Sequence, residues 1–190
     1  MPDLLEIVWH GRGGQGAKTA AVVVAEAAVR EGKHSQGFPE YGPERMGAPM
    51  RGFTRISEVP IRRHCAITDP QIVVVLDPTL LEVIDLGLKP RSKRIVIVNT
   101  PAEPKALRKA LKLKGGKLFT VDATKIALDE LKRPIPNMPM IGALVKVSGI
   151  LELKTVLQEL RDKFGKKFTR SVVQGNVRAI QRAHEEVHEE

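Results

Sequence analysis

Only one cysteine, Cys65, occurs in the 190 residues. An internal disulfide is therefore excluded. So is an iron–sulfur cluster held by this chain alone, since such clusters take about four thiolates. Cys65 lies in IRRHCAI, which reads as a strand. Successive strand residues face opposite ways, so His64 is poorly placed to activate the thiol. A structural thiol is expected. Aromatic residues are also scarce, at 4%. None is interleaved with the main run of basic residues, so the stacking platform of single-strand nucleic-acid binders is missing there. No apolar run approaches the roughly 20 residues of a membrane span. The start of the chain has neither a basic n-region nor a cleavable apolar stretch. The expectation is a cytoplasmic protein with no nucleic-acid or membrane partner.

Acid is in short supply relative to base. The formal charge is +9, with an isoelectric point near 9.8. The excess crowds between Lys89 and Lys117, through Arg91, Lys93, Arg94, Lys105, Arg108, Lys109, Lys112 and Lys114. A solvated basic face explains this, as does an anionic partner: an acidic protein or a polyphosphate.

What is present is regular alternation. LLEIVWH, QIVVVLDP, RIVIVNTP and KLFTVDAT read as strands. AKTAAVVVAEAAVREG, TLLEVIDLG, PKALRKALKLKGG and KIALDELKR read as helices. The first helix carries a small-residue stripe, Ala17, Ala20, Ala21, Val24, Ala25 and Ala28. The pattern predicts an α/β fold: one domain over 1–190, with a Rossmann-like, mainly parallel sheet flanked by helices. MRGFTRIS and VPIRRHCAI read as an inserted β-hairpin turning at Ser57 and Glu58. Residues 33–50 and 134–142, rich in Gly and Pro, read as loops. Two amphipathic helices close the chain.

The first strand runs into GRGGQG, in which Gly11, Gly13 and Gly16 spell G-x-G-x-x-G. A dinucleotide site also needs an acidic residue ending the next strand, about 20 residues on. Glu31 and Glu40 do not fit that place, so NAD or FAD binding is not expected. The turn still suits a helix start that faces an anion or a partner subunit, with Gly13, Gly14, Gln15 and Gly16 at its lip. A turn with no ligand stays open as an alternative.

WHGRGGQGAKTAA, FPEYGPERMGAPMRGFTRIS and IPNMPMIGALVKVSGI together resemble the gamma subunits of 2-oxoacid:ferredoxin oxidoreductases, most of all the pyruvate type, across the whole chain. The resemblance implies a multi-subunit oxidoreductase in which this chain packs beside alpha, beta and delta partners. Thiamine diphosphate, Mg2+ and [4Fe-4S] clusters would reside on those partners, and ferredoxin would accept the electrons. Coenzyme A would be held in part by this chain, which would bind no cofactor and be inactive alone. Candidate substrate, coenzyme A or interface residues are Gly11, Gly13, Gly14, Gln15, Gly16, Glu40, Tyr41, Glu44, Arg45, Asn137 and Met140, with no catalytic or metal-binding residue on this chain. A branched-chain 2-oxoacid enzyme, a stand-alone nucleotide-binding module and a basic scaffold remain alternatives. Scarce Asn and Gln beside abundant Lys, Arg and Glu point to a thermophilic source.

Overall fold

β-Branched runs that are apolar on both faces make strands buried from both sides, and they form the centre of the sheet. The computed structural model describes residues 4–40, 47–86 and 92–190. Its elements are β1 (Leu5–Arg12), α1 (Ala17–Arg30), β2 (His34–Pro39), β3 (Pro49–Ser57), β4 (Ile72–Val75), a 3-10 turn (Pro78–Glu82) and β5 (Ile95–Asn99). There follow α2 (Pro104–Ala110), β6 (Lys117–Val121), α3 (Ala123–Leu131), α4 (Asn137–Ser148), α5 (Leu153–Gly165), α6 (Arg170–Glu186) and β7 (His188–Glu189). The strand order is β2-β3-β1-β4-β5-β6-β7. β1, β4, β5 and β6 run parallel. β3 lies antiparallel between β1 and β2, and β7 is antiparallel to β6. The α/β architecture is as expected, with a mixed sheet in which antiparallel strands bound the parallel centre.

One face of the sheet carries most of the core. Ile7 and Trp9 of β1, Val74 of β4, Ile97 of β5 and Val121 of β6 pack there beneath α1 and the four C-terminal helices. The stripe on α1 is buried as its spacing predicts. The other face is covered more thinly, by Leu81 of the 3-10 turn, Ile84 just after it and Leu107 of α2.

Four local readings are corrected. Residues 34–39 are not loop but strand β2, so Glu40 does follow the strand after α1; β3, however, separates β2 from β1, and Glu40 is bonded to Arg51. Gly37 of β2 lets α1 lie on the strand: an added Cβ would stand 2.8 Å from the Ala21 carbonyl oxygen. Pro39 is tolerated because β2 is an edge strand. VPIRRHCAI is not a strand, because β3 is already paired on both sides and offers it no edge. The inserted hairpin is β2–β3 instead. Residues 62–66 are exposed, Cys65 among them. The segment is held by the buried Arg55, which donates to the Cys65 carbonyl at 2.7 Å and pairs with Glu6 at 2.8 Å. Of TLLEVIDLG, the described residues make only the short 3-10 turn and leave Val83 74% exposed. Finally, 134–142 is not all loop, since α4 begins at Asn137. Its Pro139 sits in the first turn, where an N–H has no intrahelical acceptor to lose.

Within the basic stretch, of which Lys89 and Arg91 lie outside the described residues, the structure separates two groups. Arg94 and Arg108 are engaged: Arg94 donates to the carbonyl oxygens of Pro70 and Leu86, and Arg108 to that of Gly115. Lys93, Lys105, Lys109, Lys112 and Lys114 are exposed and make no ion pair among the described residues. Reversing Lys109 and Lys112 together should shift stability by no more than about 1 kcal/mol per site. Thermal unfolding checks this, and a drop of many degrees would mean that these lysines are structurally engaged.

Candidate functional site: the crevice between β1 and β4

The chain leaves β1 toward β3 on one side and β4 on the other, so the sheet order reverses between β1 and β4. In such sheets, ligands bind outside the carboxyl ends of the strands at this reversal. The glycine turn falls there, after Arg12 at the end of β1 and before Ala17 at the start of α1.

The turn is tied to the segment that leads into β3. Gly13 N–H donates to the Ala48 carbonyl oxygen at 2.9 Å, and Gly47 N–H donates to that of Gly13 at 3.2 Å. Two motifs more than 30 residues apart in sequence therefore share one lip. Gly14 and Gly16 have φ of 98° and 82°, conformations that glycine adopts without strain.

A clasp fixes the turn against the end of β4. The Gln15 carboxamide accepts from Arg12 N–H at 2.7 Å and donates to Asp77 at 2.8 Å. Arg12 pairs with Asp77 at 3.2 Å and donates to Thr79 Oγ1 at 2.8 Å and the Gly47 carbonyl oxygen at 3.3 Å. Thr79 donates its N–H and its hydroxyl to the second Asp77 oxygen, at 3.0 and 2.6 Å. Burial alone would raise the Asp77 carboxyl. Hydrogen bonds from Thr79 and Gln15 and the charge of Arg12 outweigh it, holding the group below the usual carboxylate range.

Asn137 closes the crevice from α4. Its amide donates to the Gly16 carbonyl oxygen at 3.3 Å. A Cβ at Gly16 would lie 2.3 Å from the same Asn137 nitrogen. The first turn of α1 has no side-chain cap and no acidic residue. The start of the helix, where leading N–H groups lack intrahelical acceptors and the dipole is positive, thus lies at the crevice without a side-chain cap.

On the thinly covered face, a cavity of about 940 Å³ adjoins the end of β1. Val8, His10, Val73, Leu80, Ile84 and Arg94 are among its walls. Glu40 lies at its edge, bonded to Arg51 at 2.7 Å. That hydrogen bond holds the Glu40 carboxyl low against the opposing effect of burial. Burial pushes the His10 imidazole down to about 4, Arg51 pushes the same way, and Glu40 only partly opposes them. His10 is therefore neutral near pH 7. The unfolded chain takes up this proton near pH 6.5, whereas the folded chain resists it to about 4. The stability that His10 contributes is thus complete above pH 6.5 and is lost as pH falls toward 4. His10→Gln should flatten the decline of Tm over that window, as read by melting curves at a series of pH values.

Of the residues singled out from sequence, Gly11, Gly13, Gly14, Gln15, Gly16 and Asn137 converge on the crevice. Glu40 belongs to the neighbouring cavity. Met140 is fully buried in the core and reaches neither. Tyr41, Glu44 and Arg45 lie outside the described residues. Sequence reasoning missed Arg12, Asp77, Thr79, His10 and Arg51. Asp77 carried a signal, a strand stopping at Asp-Pro-Thr beside the strand that ends in the glycine turn.

The order of the strands and the placing of the turn define a doubly wound α/β domain with a helix start presented at the point of reversal. A family model described as pyruvate ferredoxin/flavodoxin oxidoreductase matches residues 6–186, and the chain belongs to that family. The pyruvate synthase subunit PorC of Thermotoga maritima is 50% identical over 183 residues, 96% of this chain and 94% of that protein. The pyruvate/ketoisovalerate oxidoreductases common subunit gamma of Pyrococcus furiosus is 43% identical over 182 residues, 96% of each chain. The crystal structure of pyruvate oxidoreductase subunit PORC from Thermotoga maritima superposes with a TM-score of 0.83 at 45% identity, covering 98% of both chains.

Proposed function

We propose that this chain is the gamma subunit of a pyruvate:ferredoxin oxidoreductase and that its β1–β4 crevice holds part of coenzyme A. The complex would convert pyruvate, coenzyme A and oxidised ferredoxin to acetyl-CoA, CO2 and reduced ferredoxin, two electrons leaving per turnover. Alpha, beta and delta partners would carry thiamine diphosphate with its Mg2+ and the [4Fe-4S] clusters. Thiamine diphosphate supplies the carbanion chemistry when bound. This chain's residues bind and orient the thiol-bearing co-substrate, and the complex works in the cytoplasm.

The observation that carries the coenzyme A assignment is the uncapped start of α1 at the point of strand reversal. Bare N–H groups at a helix start bind phosphate oxygens. Gly14 leaves its side open, since an added Cβ there meets nothing within 4 Å. On the sequence reading, Arg45 adds a guanidinium able to bond two phosphate oxygens at once.

One observation favours a broader substrate reading. The Pyrococcus furiosus relative is named as a subunit common to pyruvate and ketoisovalerate oxidoreductases. A shared gamma chain fits a 2-oxoacid pocket built mainly on other subunits. A branched-chain 2-oxoacid enzyme is accordingly the second reading.

The isolated chain should fold, remain colourless and fail to reduce a viologen dye with pyruvate and coenzyme A. Calorimetry should show no binding of NAD(H), NADP(H) or FAD. Pyruvate-dependent dye reduction by the pure chain would refute the subunit reading. Micromolar affinity for one of those dinucleotides would favour a stand-alone nucleotide module.

A further inference from the structure

The net charge of +9 has to surface somewhere, and ion pairing decides where. α5 commits its acidic residues to α1: Glu159 and the half-exposed Asp162 both pair with Arg30. Lys163 is likewise taken, by Glu26. Beyond it, Gly165 to Val172 are eight consecutive exposed residues, with Lys166, Lys167 and Arg170 but no acid. None of these three cations, nor Arg161 one turn earlier, has an ion-pair partner among the described residues.

Two further features set this patch apart from the lysines around α2. The first is apolar. Phe168 is 50% exposed and Val172 41%, and the Phe168 ring leans on the half-buried Phe164 at 5.2 Å. The second is electrostatic. α6 begins at Arg170, has no side-chain cap and has no acid in its first turn. Cations at a helix start oppose its dipole, so this arrangement works against the stability of the isolated chain. Acid from outside would relieve it.

We propose that the α5–α6 corner, which exposes Phe168 beside Lys166, Lys167 and Arg170 with Arg161 one turn earlier, docks a carboxylate-rimmed apolar recess on a partner subunit of the same complex. An aromatic anchor flanked by charge is the composition of a protein interface: the aromatic side chain supplies affinity, and the charges supply steering and register. Nucleic acid fits less well, because one exposed ring is not the series of rings on which bases stack. The proposal rests on the reading of the chain as a subunit of an assembly.

The test uses the intact complex. Zero-length carbodiimide joins lysines only to carboxylates they touch, and mass spectrometry locates the links. Lys166 or Lys167 should be joined to an Asp or Glu of another subunit. In parallel, Phe168→Ala and the pair Lys166→Glu with Lys167→Glu should each raise the dissociation constant of this chain from the complex at least about tenfold near 0.15 M salt. The pair Lys109→Glu with Lys112→Glu should leave it within about twofold. An intact complex with both patch variants, and lysine links confined to this chain's own acids, would overturn the proposal while leaving the subunit reading standing. A chain that purifies with no partner would overturn both. Capture of a fluorescent oligo(dT) probe at low salt, abolished by Lys166→Glu with Lys167→Glu while the complex stays intact, would replace the protein partner with nucleic acid.

Discussion

Asp77→Ala, placed in the assembled oxidoreductase, raises the KM for coenzyme A about tenfold or more and leaves the KM for pyruvate within about twofold. One carboxylate ties together Arg12, Gln15 and Thr79. Its removal leaves the Gln15 amide without its acceptor and the Arg12 guanidinium with only Thr79 and Gly47. Losing hydrogen bonds to a charged group costs about 1.5–3 kcal/mol. The turn keeps its backbone bonds to Ala48 and Gly47, so it loosens without unfolding. Loosening a pre-set anion site reduces affinity by the entropy of re-ordering it, and tenfold corresponds to about 1.4 kcal/mol. Asp77→Asn keeps one acceptor and loses the charge, so it falls between wild type and Ala. A purely structural role would lower Tm and the amount of complex while the surviving enzyme kept its coenzyme A KM. Steady-state kinetics on size-fractionated complex separates the two.

Gly142→Ala has the largest expected effect on stability. Gly142 lies where α4 crosses α6, and an added Cβ would stand 2.0 Å from the Ile180 carbonyl oxygen. The obstacle is backbone, so no rotamer relieves it and the helices must part. Overpacking of a tight core costs about 1–3 kcal/mol and sometimes more, and contact with backbone belongs at the upper end. For a chain of this size that is a fall in Tm of roughly 6–12 °C. The same displacement reaches the site, because α4 begins with Asn137, which is seated on Gly16. Melting curves of the isolated chain check the first effect. A Tm within about 2 °C of wild type would mean that the crossing has slack.

The parts of this fold that could be read from the sequence are those set by periodicity alone. β4 and β5 are β-branched runs and β1 and β6 are short apolar runs between turns, and the stripe on α1 is buried as its spacing dictates. Reading failed where tertiary context decides. Gly37 and Pro39 look like loop punctuation, yet one admits a helix and the other sits on an edge. Residues 59–67 have strand-like composition, but both edges of the preceding strand β3 are taken, and the segment is tied down by the Arg55 side chain instead. Pro139 is a helix breaker except in the first turn, which is where it falls. The glycine turn was legible as a turn from strand into helix, because glycines between an apolar run and a helical one permit the positive φ that Gly14 and Gly16 adopt. Its clasp was not. Asp77 and Thr79 stand more than 60 positions from Gln15, and only the pairing of β1 with β4 brings them together. Met140 shares a motif and broadly a helix face with Asn137, but it stands one turn further into α4, where it is fully buried in the core.

The central claim is that this chain belongs to a complex that uses pyruvate and coenzyme A. It is tested most directly by tagging the chain in its native source, isolating what it holds, and assaying the eluate. Pyruvate-dependent reduction of ferredoxin that requires coenzyme A should co-elute with the tag in fixed ratio. It should fall away when the chain is stripped off and return when the chain is added back. A tagged chain that elutes alone, or a complex that turns over 2-oxoglutarate but not pyruvate, would contradict the account.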